Sequence, residues 1–449
     1  MSTGNLGSVD FPPSRVWDPE QRDQWEAEGQ FVARRTLWIT TCALTLSFAT
    51  WFVWSALVVR LPVAGFALSI SQRFWLVALP GLVGATLRVP YSFLIQVLGT
   101  RLVVTAGTAS LLIPALGIGF AVQDASTSYA TLIVLAAAAG LGGANFSAFM
   151  SSTSLFFPKK RQGTALGIQA GLGNLGVSLV QFLTPWLIGL GAFAWGPSQA
   201  IKHGNGVTQV WLQNAAFFWV LPIALTLLAE LIWLRDVPVK STIREQSVIF
   251  RRKHTWIMTL LYVMTFGTFS GFAAATGLLV GEVFSGQRFA NAPDPLAYAF
   301  WGPLVGSLVR PLGGYISDKL GGAKVTLACA LVLALSMLGL AYTSHPTSAA
   351  DFPGFFAALL VVFFASGIGN GSTFRMIPVI FEPKEAAPVL GWTAAIAAYG
   401  AFLLPLLFGS TLSQSGNANG AFFSLAAFYL GGALLCYWFY ARAAAERPC

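Results

Sequence analysis

Runs of roughly twenty apolar residues, separated by short segments rich in charge, proline and glycine, recur along the whole chain. A helix of about 20 residues is about 30 Å long, the thickness of the hydrocarbon core of a bilayer. The pattern predicts twelve membrane spans, near 36–59, 74–96, 102–122, 129–156, 162–190, 209–234, 255–282, 296–317, 324–343, 353–380, 388–413 and 419–441. The first 35 residues are polar and carry no apolar core, so no cleavable signal peptide is expected. With Trp17, Trp25 and Arg34-Arg35, that tail is read as lying at the membrane surface. The longest polar connection, Arg235 to Thr255, is basic and separates two sets of six spans. The expected fold is therefore an all-α membrane protein with a tail over 1–35, a six-helix bundle over 36–234, a basic linker over 235–254, a second six-helix bundle over 255–441 and a short tail over 442–449.

Composition excludes a soluble core. Hydrophobic residues make up 55% of the 449 and charged residues only 10%, with a mean hydropathy of +0.68; soluble domains carry roughly 25% charged residues. Charge placement then sets the orientation. With both termini inside, 19 of the 26 Lys and Arg residues fall on the cytoplasmic side, four (Arg60, Arg73, Lys202 and Arg288) on the other, and three within spans. The positive-inside rule thus puts both termini in the cytoplasm. The net charge of +9 follows from topology and calls for no nucleic-acid partner. The four cysteines, Cys42, Cys329, Cys436 and Cys449, show neither metal nor disulfide spacing and read as small apolar fillers. No metal or cofactor is expected.

The two sets of spans repeat each other. Arg88 is followed by Gln96 and Gly99, and Arg310 by Asp318 and Gly321 at the same offsets, a shift of 222 from 88 to 310. Phe157-Pro158-Lys159 and Gly167 recur about 224 later as Phe381-Glu382-Pro383-Lys384 and Gly391, and Gly140-Leu-Gly142 matches Gly367-Ile-Gly369. Repeats of this length in a twelve-span chain imply two pseudo-symmetric bundles with a site between them.

Candidate chemistry lies in the charges inside the spans. These are Arg88, Arg310 and Arg375; no Lys lies within a span, no Asp or Glu falls mid-span, and Glu230 and Glu282 sit near span ends. An intramembrane arginine costs roughly 2.5–3.5 kcal/mol, and buried charges are normally paired. With no mid-span carboxylate available, the natural counter-ion of Arg88 and Arg310 is an anionic substrate; the alternative is snorkelling or binding to backbone carbonyls. Arg375 has no basic counterpart in the first half and is read as pairing with Glu382 or the adjacent helix end. Gly163, Gly167, Gly171, Gly173 and Gly176 crowd span five, where small residues allow tight helix crossing or sliding, or form a static packing face. Asn174 lies within that run, its amide within reach of a neighbouring helix or a ligand. Phe48, Phe146, Tyr262 and Phe266 are aromatic positions that periodicity alone does not single out among 36 Phe.

The stretch Gly314-Tyr-Ile-Ser-Asp318-Lys319-Leu-Gly321-Gly322-Ala-Lys324 resembles the loop motif of the major facilitator superfamily, in which an acidic residue latches neighbouring helix ends. The first-half copy departs from it, with Gln96 in place of the acid. More specifically, Gly140-Leu-Gly-Gly-Ala-Asn145-Phe146, Phe156-Phe157-Pro158-Lys159-Lys160, Gly163 to Gly167 and Gly171-Leu-Gly173-Asn174-Leu-Gly176 resemble the nitrate signature of the nitrate/nitrite porter family within that superfamily. Arg88-Val-Pro-Tyr91-Ser-Phe and Gly369-Asn-Gly371-Ser-Thr-Phe374 are similar to its other motifs. Two departures stand out: a short loop after Pro383, and Arg375 where a neutral residue is usual.

The resemblance implies that Arg88 and Arg310 clamp nitrate or nitrite between the bundles, that Asn174 and Tyr262 add hydrogen bonds, and that Phe48, Phe146 and Phe266 sandwich the anion. It also implies a monomer in a bacterial cytoplasmic membrane. A guanidinium suits the task because its planar fork pairs with planar oxyanions. Three readings of function remain open: nitrate/nitrite exchange, nitrate/proton symport and an anion channel. The lack of a mid-span titratable relay favours exchange over symport, and the repeated halves favour a carrier over a channel. A sensor lacks an output domain, and an enzyme lacks any catalytic dyad, metal cluster or cofactor loop.

Overall fold

A computed structural model of the chain describes residues 17–191, 195–203, 206–236, 247–284, 289 and 291–449. Much of the expected N-terminal tail (1–16) and of the basic linker (237–246) lies outside the described residues. Eleven helices among the described residues are long and apolar enough to cross a membrane. They are α1 (Arg22–Leu57), α2 (Ile70–Leu98), α3 (Thr100–Ala121), α4 (Tyr129–Phe156), α5 (Lys159–Gly189), α6 (Asn214–Trp233), α7 (Lys253–Val283), α9 (Gly322–Thr343), α10 (Ala349–Ile380), α11 (Pro383–Ala397 running on into Gly400–Ser415) and α12 (Asn419–Ala441). The expected eighth span is a helix too, α8 (Trp301–Leu320), but Arg310, Asp318 and Lys319 within its 20 residues keep it below that apolar threshold.

One element departs from an all-helical reading. Between α5 and α6, β1 (Gln199–His203) and β2 (Gly206–Val210) pair antiparallel, with Gln199 opposite Val210 and Ile201 opposite Thr208. The hairpin takes up residues expected at the start of span six, so α6 begins at Asn214 rather than near 209.

Helix α2 packs against α4 and α11, α1 against α4 and α5, α8 against α5 and α10, and α9 against α10 and α12. Glycines permit the closest approaches. A Cβ on Gly81 would lie 2.5 Å from the backbone of Ala401, and one on Gly400 would lie 2.2 Å from the carbonyl oxygen of Gly267.

The internal repeat is visible in the backbone. Gly99 ends α2 and Gly321 ends α8, both with positive φ (84° and 92°), a conformation that glycine adopts without Cβ strain, and the next helix starts at once. In each turn the second residue of the new helix gives its N–H to an acceptor arriving from beyond the sixth helix of that set. Arg101 N donates to Asp236 Oδ1 at 2.8 Å, and Ala323 N donates to Cys449 O at 3.1 Å.

Ion pairs between the first six helices and the rest cluster at one end. Arg60 pairs with Asp294 at 2.5 Å and Arg73 with Glu282 at 2.6 Å. Deeper along the same contact, Gln181 Nε2 donates to Ser55 Oγ and to the carbonyl oxygen of Ala273. Every other ion pair among the described residues stays within one set of helices.

Candidate functional site

Arg88 reaches the interior through neighbours that are themselves small. Gly84 on α2 and Gly143 on α4 leave room for the Trp51 indole, since a Cβ on either would lie 3.0 Å or less from its ring. Trp51 Nε1 is fixed by donation to the carbonyl oxygen of Pro80 at 2.8 Å. Over this floor the Arg88 guanidinium sits 5.0 Å from the Trp51 ring, 4.6 Å from Phe146 and 5.7 Å from Phe266. Its Nε donates to Gly143 O at 2.8 Å, and its Nη1 donates across to Ala394 O on α11 at 2.9 Å. Its Nη2 is buried and has no partner among the described residues.

Arg310 is built the same way from the other side. Gly371 on α10 lies so near that a Cβ would stand 2.2 Å from the Arg310 carbonyl oxygen. The Arg310 guanidinium lies 4.8 Å over Phe374, its Nη2 donates to Tyr262 Oη at 3.2 Å, and its Nη1 is buried without a partner. Arg88 is fully buried and Arg310 is 7% exposed, and neither forms an ion pair among the described residues.

Aromatic rings connect the two arginines. Helix α7 widens into a π-helical turn over Val263–Gly267, a local irregularity often found at functional sites. At that turn Tyr262 and Phe266 stack at 5.5 Å with only 6° between their planes. Tyr262 touches Arg310 through its hydroxyl, and Phe266 lies beneath Arg88. Phe48 closes the first side, edge-on to Phe146 at 6.0 Å and to Trp51 at 5.3 Å.

Of the sequence-predicted residues, Arg88, Arg310, Tyr262, Phe48, Phe146 and Phe266 therefore form one connected cluster. Asn174 lies on α5, buried, with neither amide atom bonded among the described residues. Nearby, a Cβ on Gly173 would meet Leu44, and one on Gly176 would lie 2.1 Å from Thr45 O and 3.0 Å from Phe48 Cβ. Gly163, Gly167 and Gly171 have nothing within 4 Å of a Cβ, so close helix crossing does not extend to them. Of the two partners expected for Arg375, Glu382 or the adjacent helix end, the pairing is not with Glu382 but with Asp318 near the end of the neighbouring α8, through Nε and Oδ1, as α8 and α10 pack side by side. Trp51 and Phe374 were not singled out as site residues; the one available signal was that Phe374 ends a glycine-rich motif.

These features define a helical membrane protein with a buried, positively charged centre. Residues 37–352 match the Major Facilitator Superfamily profile. The chain belongs to that superfamily of multi-pass membrane transporters, not to a class of enzymes. It is 53% identical over 436 residues to the probable nitrate/nitrite antiporter NarK2 of Thermus thermophilus, covering 96% of this chain and 97% of that one. It is 38% identical over 448 residues to the nitrate/nitrite transporter NarU of Salmonella typhimurium, covering 95% and 96%. Among solved structures, it matches the crystal structure of a bacterial homologue of the human lysosomal transporter Spinster in an inward-facing, occupied conformation. That match has a TM-score of 0.65 at 15% identity over 89% of this chain and 95% of the other, a likeness of fold.

Proposed function

We propose that this protein exchanges nitrate and nitrite across a bacterial cytoplasmic membrane by alternating access, holding the anion between Arg88 and Arg310. The observation that carries the reading is a buried pair of guanidinium groups, one from each set of six helices. Each keeps an unpartnered N–H group, and neither has a carboxylate partner among the described residues. The names of the relatives supply the chemical class: a small planar oxyanion that two guanidinium forks and flat aromatic rings would hold. Aromatic walls disfavour bulky, strongly hydrated anions such as phosphate and sulfate, and distinguish nitrate from nitrite only weakly.

In this reading α8 completes the twelve spans, with Arg310 buried inside it and Asp318 and Lys319 exposed at its end. The halves are 36–234 and 255–441, and both termini face the cytoplasm. The end joined by Arg60–Asp294 and Arg73–Glu282 is then the outer end, closed in this structure. The anion acts as the switch. At an effective dielectric near 20, two guanidinium charges about 8 Å apart repel by roughly 2 kcal/mol, while an anion about 4 Å from each gains roughly 4 kcal/mol per contact. An empty carrier resists bringing the arginines together and a loaded one does not, so movement is tied to occupancy, which makes an exchanger.

One observation favours nitrate/proton symport as a second reading. Glu230, near the end of α6, is fully buried, with Oε1 accepting from Thr108 Oγ1 at 2.7 Å and Oε2 unpartnered. A buried carboxyl of this kind is a candidate proton carrier. The test is nitrate–nitrite exchange by the purified protein in liposomes, with Arg88→Lys, Arg310→Lys and Glu230→Gln. The proposal expects loss in both arginine variants and normal exchange in Glu230→Gln. Normal exchange in the lysine variants would reject the clamp, and loss of proton-driven uptake in Glu230→Gln would favour symport.

A further inference from the structure

Among the described residues, two asparagines keep both side-chain atoms buried and unbonded within the protein: Asn174 on α5 and Asn370 on α10. Each is only 1% exposed. Burying an amide with neither end satisfied is costly, so such a group in a native structure points to an unseen partner.

Asn370 stands where the anion site is. It lies one helical turn before Phe374, whose ring sits 4.8 Å beneath the Arg310 guanidinium and 4.7 Å from Tyr262. Seven residues before Asn370, Phe363 packs on Phe269 of α7 at 6.0 Å. Positions 363, 370 and 374 therefore share the α10 stripe that faces α7, as spacings of seven and four require. The flanking glycines confirm the corner: Gly369 lies against Thr265 of α7, and Gly371 against the Arg310 backbone of α8.

The internal repeat marks the same place. Phe157 and Phe381 differ by 224 in number, and that shift carries Phe146, whose ring lies 4.6 Å from the Arg88 guanidinium, onto Asn370, and Asn145 onto Gly369. Asn145 Nδ2 is occupied, donating to Ser47 Oγ at 3.0 Å and to Gly107 O at 3.1 Å, so it ties α4 to α1 and α3. Asn370 makes no such tie. Among the described residues, the buried amide of Asn145 is thus a structural clamp, while that of Asn370 is free.

We propose that Asn370 is a further anion-binding residue whose amide N–H donates to the bound oxyanion from the α10 side, opposite Asn174. The inference rests on the reading of Arg88 and Arg310 as the anion site. A neutral amide is suited to this place because it can turn its donor toward an anion and adds no charge that would hold the anion permanently.

The test uses the full-length protein in liposomes, measuring initial nitrate uptake against internal nitrite, together with thermal unfolding in detergent with and without nitrate. Asn370→Ala is expected to raise the nitrate KM by about tenfold to a hundredfold. The melting temperature without nitrate should be unchanged, because no protein hydrogen bond is lost, and the nitrate-induced rise should shrink. Asn370→Ser, which keeps a donor, is expected to fall between, and serves as the comparison if the alanine variant does not fold. Asn145→Ala is expected to show the opposite, a lower melting temperature with an unchanged nitrate KM. An unchanged KM in Asn370→Ala, or a melting temperature lowered with the nitrate-induced rise intact, would overturn the assignment. Arg310→Lys separates the two levels. If it exchanges normally, the two-arginine site falls and this inference with it; if it fails while Asn370→Ala keeps a normal KM, only Asn370 is wrongly assigned.

Discussion

Arg88 Nη1 donates to the carbonyl oxygen of Ala394 at 2.9 Å, so an arginine on the second helix is held by the backbone of the eleventh. Any rocking of one half against the other changes this bond, and the group it holds is the one proposed to bind substrate. Lysine would keep the charge but lose the fork that engages Gly143, Ala394 and an anion together. Arg88→Lys and Arg310→Lys are each expected to lower exchange at least tenfold, with loss of about 1.5–3 kcal/mol for charge-assisted bonds, measured as initial uptake rates in liposomes.

Tyr262→Phe isolates one contact. It keeps the ring stacked on Phe266 and removes the hydroxyl 3.2 Å from Arg310. Nitrate affinity is expected to fall about tenfold with little change in unfolding temperature, as read by nitrate titration of the melting curve.

The ion pairs that join the two halves make a conformational prediction. Arg73 and Glu282 are largely buried side chains, at 17% and 18% exposure, and their pairing joins the halves. Replacing both by alanine, together with Arg60→Ala, is expected to shift the resting balance by roughly 1 kcal/mol toward opening of that end. Spin labels at the exposed positions Val63 and Ala297 would then show a several-fold larger long-distance population. An unchanged distance distribution would mean that these pairs do not hold that end closed.

Span five separates packing glycines from free ones. Gly176→Ala puts a methyl group 2.1 Å from the Thr45 carbonyl oxygen, an overlap that only a backbone shift can relieve. That variant is expected to lose folding or transport. Gly163→Ala and Gly167→Ala meet nothing within 4 Å and are expected to raise thermal stability by up to about 1 kcal/mol each. A fall in exchange without a fall in stability in the latter two would show that the N-terminal half of α5 bends during transport.

What the sequence revealed depended on whether a signal was local. Arg88 and Arg310 stood out because a charge in an apolar window is rare and because both recur at one spacing. The same charge, with Asp318 and Lys319, takes α8 below the apolar threshold even though its repeat position marked it as a span. The strands at 199–203 and 206–210 were hidden because Gln209 and Val210 read as the start of the sixth span and the residues before them as a connection. Arg375 was expected to pair with Glu382, seven residues on and just past the end of α10, or with the adjacent helix end; Asp318, 57 residues distant, becomes the partner only through the packing of α8 on α10. The π-turn at Val263–Gly267 and the Trp51 floor under Arg88 depend on tertiary contacts and have no short-range signature. Glu230 looked peripheral by its position near a helix end, yet Thr108 of α3 encloses it.

The central claim is that movement requires an anion between the arginines, and counter-substrate dependence tests it most directly. Nitrate uptake should be measured in liposomes holding internal nitrite and in liposomes holding none, each with and without an inward proton gradient. The account predicts uptake only with internal nitrite, at a rate indifferent to the gradient. Robust uptake into anion-free liposomes, driven by external acid, would contradict it.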